Sequence, residues 1–393
     1  MDARPYPHLA LEGRSAEDGL PIRLIVDGGH ITAIERDGAI DTGSWISVGW
    51  SDIQVNGYAG FDPNGEGATG AAVADMARSL WPEGVTGSCV TICTESEPRM
   101  LEGIRAAADA WETDPDAAAS LIGIHVEGPH ISAEDGPRGA HPLRHIRPPD
   151  IAEYRRWQAA AGGRIKIITL SPEYPGAVDY IRAIVADGVV ASVGHTSATG
   201  DQILAAVDAG ASWSTHLGNG AHGMIRRHPN YIWDQLAEDR LSAGFIFDGH
   251  HLPPAVMRSV VRAKGVERTV LVSDAVALAG MPPGEYRMFD GTEVVLDATG
   301  RLALKGTPFL AGAAIPLPVC VANAIRHAGI TVADAVRTVT ANPSRLLSLP
   351  TVDGRETMRT GVRANLVQFR RQEATGDIEV VRTVLAGRVV FEG

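Results

Sequence analysis

The stretch that decides the fold is Leu121 to His130, LIGIHVEGPH, an apolar run that ends on Glu127 and breaks at once on Gly128 and Pro129. A strand stopping on a carboxylate beside a Gly-Pro turn holds that carboxylate at the edge of a sheet. The pattern recurs downstream. VVASVGHTSA ends a β-branched run on His195, ASWSTHLGNG ends one on His216, and TVLVSDAVA ends one on Asp274. Four strand ends therefore carry a Glu, two His and an Asp, the residue set of one divalent metal with a proton-handling carboxylate.

Working outward, apolar strands alternate with helically periodic, Ala-rich segments. The predicted strands are Ile46–Ile53, Val85–Ile92, Leu121–Glu127, Ile165–Leu170, Val189–Gly194, Ser212–His216, Ala243–Asp248 and Thr269–Asp274. Segments such as EPRMLEGIRAAADAWE, TGDQILAAVDAG and LPPAVMRSVVRAKG lie between them, often closed by Gly. Eight strand–helix units of this length predict an α/β fold, a parallel sheet closed into a (β/α)8 TIM-like barrel. The strand ends that carry Glu127, His195, His216, Asp248 and Asp274 then share one rim. An open doubly wound sheet is the competing architecture, but no Gly-rich phosphate loop follows the first strand. Residues 1–49 and 360–393 instead read as short β segments (LALEG, IRLIVDGG, HITAIER; ANLVQFR, IEVVRTVLAGRVVFEG), predicting a small β-sandwich built from both chain ends. Residues 50–359 form the barrel between them.

Length and composition bound the function. The 393 residues are 45% hydrophobic and 21% charged, with a net charge of −12. That charge argues against a nucleic-acid groove or an anionic membrane surface, while leaving room for a small anionic substrate in a local basic pocket. No apolar stretch approaches the roughly 18 residues of a membrane span, and MDARPYPHLA has no signal-peptide pattern, so a cytoplasmic protein is expected. Three cysteines, Cys89, Cys93 and Cys320, do not form a disulfide framework. Cys89 and Cys93 read as core thiols.

Taken singly, a His at a strand end is more often hydrogen-bonded structure than a ligand, and a Glu before Gly-Pro can simply cap a turn. The joint pattern changes this. Glu127, His195 and His216 supply three ligands and leave a fourth position open, as catalytic metal sites require. Asp274 is placed to take a proton from water and pass it to a leaving amine. His125, two residues before Glu127, points to the same face one layer deeper, which reads as support or packing.

The chain resembles the N-acetylglucosamine-6-phosphate deacetylase family of the amidohydrolase superfamily. The resemblance rests on SVGWSDIQVNGYAG, HVEGPHIS with RGAH after it, GHTSA, STHLGNG, FDGHHL, LVSDA, the Leu-Ala-Gly at Leu310–Gly312 and TANPSRLLSL, in family order over nearly the whole chain. It implies a metal on Glu127, His195 and His216, Asp274 as the catalytic acid/base, and substrate contacts from His141, His251, Asn219 and Gly220. It also implies a homodimer in which an arginine of the following loop, Arg227, reaches a neighbouring subunit's site. Where many amidohydrolases place His-x-His for a second metal, this chain has Gln54 and Asn56. Amides are poor ligands for such cations, so one divalent metal per chain is expected, zinc first and iron second.

Departures fall at the barrel mouth. The family usually reads Leu, aromatic, Asn, Ala, Met after its second metal-binding His; here the order is Leu217, Gly218, Asn219, Gly220, Ala221. The serine usual after Leu-Ala-Gly is Ala313. Arg226 and Arg227 either bind phosphate bidentately or form a solvated basic pair, and His250 reads as structural. The expected reaction is hydrolytic deacetylation of an N-acetylated amino sugar 6-phosphate, N-acetylglucosamine-6-phosphate foremost. The same machinery on another N-acyl amino sugar, an N-acyl amino acid or a cyclic amide is the alternative, and a barrel that has lost its chemistry is a third reading.

Overall fold

The computed structural model describes residues 7–40, 43–288 and 291–393. The first six residues of the stretch inspected for a signal peptide, and residues 41–42 of the N-terminal β segment, lie outside that range. Eight parallel strands form one sheet in chain order, from Trp50–Val55 through Val85–Cys93, Leu121–Glu127, Ile165–Leu170, Val190–Val193, Trp213–Ser214 and Ser242–Phe245 to Thr269–Leu271. The ends of this sheet meet. Val55 bridges Ala275 in parallel, Asp274 N donates to Gln54 O at 3.0 Å, and Asn56 N donates to Ala275 O at 2.8 Å. The barrel is thereby closed, as the strand–helix alternation predicts.

Sequence explains the layers. The strand Leu121–Glu127 is buried at all seven positions, as a strand inside a barrel sheathed by helices must be. The helix Glu97–Thr113 turns Met100, Ile104 and Ala107 inward at three- and four-residue spacing. Thr199 and Gln202 form a capping box that starts the helix Gly200–Asp208 just after His195. Among the described residues no helix is long and apolar enough to cross a membrane.

Both chain ends build a second, seven-stranded sheet. Its order is Arg388–Glu392, Ile378–Leu385, Leu366–Arg371, Trp45–Val48, Leu9–Ser15, Pro21–Asp27 and His30–Glu35. Leu11, Leu24, Ile46, Leu366 and Val384 form a separate apolar cluster within it. On the barrel side Phe369 meets Trp50 edge-on, ring centroids 5.5 Å apart.

Three expectations need correction. The run Ile46–Ile53 is two strands split at Gly49, one in each sheet. A Cβ at Gly49 would lie 2.1 Å from Thr86 Oγ1, so the crossing between sheets is too tight for any other residue. The strands expected to run up to His195, His216, Asp248 and Asp274 stop two or three residues before them, leaving those side chains on the loops that follow. Residues 284–304, for which the sequence predicts no strand, form a three-stranded antiparallel sheet of Gly284–Arg287, Glu293–Leu296 and Leu302–Leu304.

Candidate active site

Three of the four early strand ends lead into a left-handed backbone turn. His195, His216 and Asp274 adopt φ of 48°, 27° and 51°, in the left-handed region that L residues avoid. Each such residue costs on the order of 1 to 3 kcal/mol, and such strain persists only where the surroundings over-determine it. All three turn their side chains into the mouth of the barrel beside Glu127.

There the side chains converge. His216 Nε2 lies 2.9 Å and His195 Nε2 3.4 Å from Glu127 Oε1, and His141 Nε2 lies 3.3 Å from His195 Nε2. The donor atoms that approach one another mutually within 4.8 Å belong to Glu127, His141 and His195, and His216 joins them through Glu127. His195 is oriented by its other nitrogen: Nδ1–H donates to Pro137 O at 2.8 Å, which turns Nε2 toward the cluster. One carboxylate and imidazole nitrogens pointed at a common space are a donor set that suits a borderline divalent cation. The residues present fit such an ion.

The electrostatics divide the two carboxylates. Burial pushes Glu127 up, but hydrogen bonds and charge from His195 and His216 outweigh it and hold Glu127 well below the usual carboxylate range. Asp274 goes the other way. Burial, then the Glu127 charge, push it up to about 7, and Asn56 Nδ2 donates to its Oδ1 at 2.8 Å. Two carboxyl groups driven apart in this way are suited to different tasks, one to hold a cation and one to exchange protons near neutrality. His141 is lowered to about 3 by burial and the neighbouring His195, so it stands neutral beside the cluster.

Around this centre, Asp248 Oδ2 accepts a hydrogen bond from His251 Nδ1–H at 2.6 Å, while its Oδ1 accepts from the backbone N–H groups of His250 and His251 at 2.8 Å each. His250 is tied through Nε2 to Thr299 O at 3.2 Å, linking this loop to the three-stranded sheet. Asn219 folds back to His216 O, and Gly220 approaches the His195 ring so closely that a Cβ there would meet Nδ1 at 2.6 Å. Arg226 and Arg227 stand exposed on the loop that leads to Asn230, the cap of the next helix, and neither joins the cluster.

Sequence reasoning passed over three participants: Asn56, which it read only as an absent ligand and which holds Asp274 Oδ1, and two that touch Glu127. Gln54, read only as an absent ligand, donates Nε2–H to Glu127 Oε1 at 3.0 Å. Cys93, read as a core thiol, has its Sγ 4.0 Å from Glu127 Oε2. Its signal was available: Cys93 is the last residue of a barrel strand, the position from which the other site residues were found.

No protein-family model matches the chain. Curated relatives do. The chain is 30% identical over 351 residues to an N-acetylglucosamine-6-phosphate deacetylase of Bacillus subtilis, covering 88% of this chain and 85% of the relative. It is 31% identical over 386 residues to the Bos taurus enzyme of the same name, covering 95% and 89%, and 32% identical over 310 residues to an N-acetylgalactosamine-6-phosphate deacetylase of Shewanella, covering 79% and 76%. Among solved structures, the N-acetyl-D-glucosamine-6-phosphate deacetylase of Mycobacterium smegmatis, as a point mutant in complex with N-acetyl-D-glucosamine-6-phosphate, superposes with a TM-score of 0.86 at 29% identity over 98% of this chain and 99% of that one. On this likeness, and on a closed barrel whose rim gathers Glu127, His195, His216 and Asp274, the chain belongs to the N-acetylglucosamine-6-phosphate deacetylase family of the amidohydrolase superfamily.

Proposed function

We propose that the protein hydrolyses the acetamide of an N-acetylated amino sugar 6-phosphate, N-acetylglucosamine-6-phosphate foremost, giving acetate and the free amine. One divalent ion, zinc first and iron second, is assigned to Glu127, His195 and His216. When bound, such an ion supplies Lewis acidity toward the amide carbonyl and makes water acidic enough to react near neutrality. His141, neutral and at the rim of the cluster, donates to the carbonyl oxygen as negative charge develops on it. Asp274 takes the proton of the attacking water at a carboxylate oxygen and returns it to the departing nitrogen, which leaves as the amine. Asn56 orients that carboxylate by holding Oδ1. His251, steered by Asp248, and the backbone at Asn219 and Gly220 bind the sugar. Arg227 takes the phosphate, from a neighbouring subunit in a homodimer of the cytoplasm.

The observation that carries this reading is the convergence of His195 and His216 on Glu127 beside a second carboxyl group, Asp274, whose Oδ1 is held by Asn56. The epimer is the open choice, since relatives named for the glucosamine and the galactosamine phosphates match at 30% and 32% identity. Acetate release from the two sugar phosphates, run beside unphosphorylated N-acetylglucosamine, tests it. Turnover of a phosphorylated sugar alone is expected. Equal turnover without the phosphate would remove Arg227 from the substrate site, and no turnover of any of the three by metal-replete protein would sink the sugar-phosphate assignment.

A further inference from the structure

One layer below the site, the barrel interior is polar where branched apolar side chains normally fill it. His125 Nε2 lies 2.7 Å from Thr169 Oγ1, Thr169 Oγ1 lies 2.6 Å from Thr215 Oγ1, and Thr215 Oγ1 lies 2.5 Å from Ser192 Oγ. All four side chains are buried, with relative exposures of 0 to 2%. Ser192 Oγ donates to the Trp213 carbonyl at 3.3 Å. Each hydroxyl has one hydrogen, so this terminal bond sets the sense of the whole chain: Thr215 donates to Ser192, Thr169 to Thr215, and His125 Nε2–H to Thr169.

The chain runs across three adjacent barrel strands to the residue that follows the fourth, and its members neighbour the expected ligands. His125 is on the strand that ends in Glu127. Thr169 is the register partner of Glu127 on one side and of Ser192 on the other. Ser192 is on the strand before His195, and Thr215 immediately precedes His216. The fit leaves no slack. A Cβ on Gly194, next to His195, would lie 2.7 Å from Thr169 Cγ2 and 2.8 Å from Thr215 Cβ. The His125 ring rests against the Trp213 ring, centroids 5.8 Å apart.

We propose that His125, Thr169, Thr215 and Ser192 form a buried hydrogen-bonded brace that sets the spacing of the strand ends bearing Glu127, His195 and His216, with His125 as its positioning residue. Buried hydroxyls hold position only while each finds its partner, so removing one donor frees the neighbouring strand to shift. The left-handed residues at His195 and His216 are the first to relax. The inference rests on the metal-site reading above, and it assigns His125 to metal retention rather than to proton transfer.

The test measures metal affinity of the full-length protein by competition against a chromogenic zinc chelator, with thermal melting and steady-state kinetics alongside. His125→Leu, Thr169→Val and Thr215→Val are expected to weaken zinc retention about 10- to 100-fold, the range for residues that orient ligands. His125→Gln, which keeps a donor near the Nε2 position, is expected to recover most of it. At saturating zinc the KM of the valine variants stays at the wild-type value. Wild-type zinc affinity in the two valine variants would overturn the brace, as would lowered melting temperature with unchanged zinc affinity. Wild-type protein that holds zinc without deacetylating any sugar phosphate would defeat the functional reading and leave the brace standing.

Discussion

Asn56 Nδ2 donates to Asp274 Oδ1 at 2.8 Å, across the seam where the first and last barrel strands close. This bond fixes one carboxylate oxygen and leaves the other for water and substrate. A hydrogen bond to a charged group contributes about 1.5 to 3 kcal/mol. Asn56→Ala is therefore expected to lower kcat about 10- to 100-fold with metal content unchanged. Steady-state kinetics beside metal analysis check it, and wild-type kcat in the variant would remove Asn56 from the positioning of Asp274.

Stability should carry the signature of a second buried carboxyl, Asp52, below the same seam. Burial pushes it up to about 6, against bonds from Ser273 and the Gln54 backbone. A folded pKa raised above the unfolded value of 3.8 gives stability that is complete below about pH 4 and is lost as pH rises through 6. The loss is about 3 kcal/mol at the usual 1.36 kcal/mol per unit. Asp52→Asn keeps the accepting oxygen without the charge, so it is expected to match wild type near pH 4 and to exceed it at pH 8 in denaturant unfolding. A variant less stable than wild type at pH 8 by the margin seen at pH 4 would contradict this.

Gly220 sits at φ 55°, and a Cβ there would press on His195 Nδ1. The ring cannot yield without breaking its 2.8 Å bond to Pro137 O. For Gly220→Ala the left-handed backbone costs about 1 to 2 kcal/mol and overpacking about 1 to 3 kcal/mol. The expected result is a lower melting temperature together with weaker metal retention. Unchanged metal retention would show that the His195 ring is not held as the structure has it.

The barrel and its candidate rim were legible in the sequence because the strands are apolar runs spaced by helical segments, and five of those runs lead into Glu127, His195, His216, Asp248 or Asp274. What escaped has local causes. The split at Gly49 carries no change of period, since Trp45–Val48 and Trp50–Val55 both mix apolar with polar residues and the approach of Thr86 is what marks the crossing. Three of the strand ends were placed too late because the backbone turns left-handed at His195, His216 and Asp274, a conformation that L residues avoid and that no propensity predicts. The sheet of residues 284–304 has strands of three or four residues among Gly, Asp and Thr, too short to establish a period of two. Gln54 was judged only as a missing ligand, although an amide in that place is a hydrogen-bond donor to Glu127.

The most direct test of the central claim follows the acetyl group itself. Protein stripped by chelator, then reloaded with one equivalent of zinc, is given N-acetylglucosamine-6-phosphate carrying a labelled acetyl group, with Asp274→Asn treated in parallel. The account predicts labelled acetate and free amine in equal amounts from reloaded wild type and none from stripped protein. It also predicts a rate lower by about 100- to 10,000-fold from reloaded Asp274→Asn, the range for loss of a general acid/base. Acetate release by stripped protein at the reloaded rate, or an Asp274→Asn variant as fast as wild type, would contradict it.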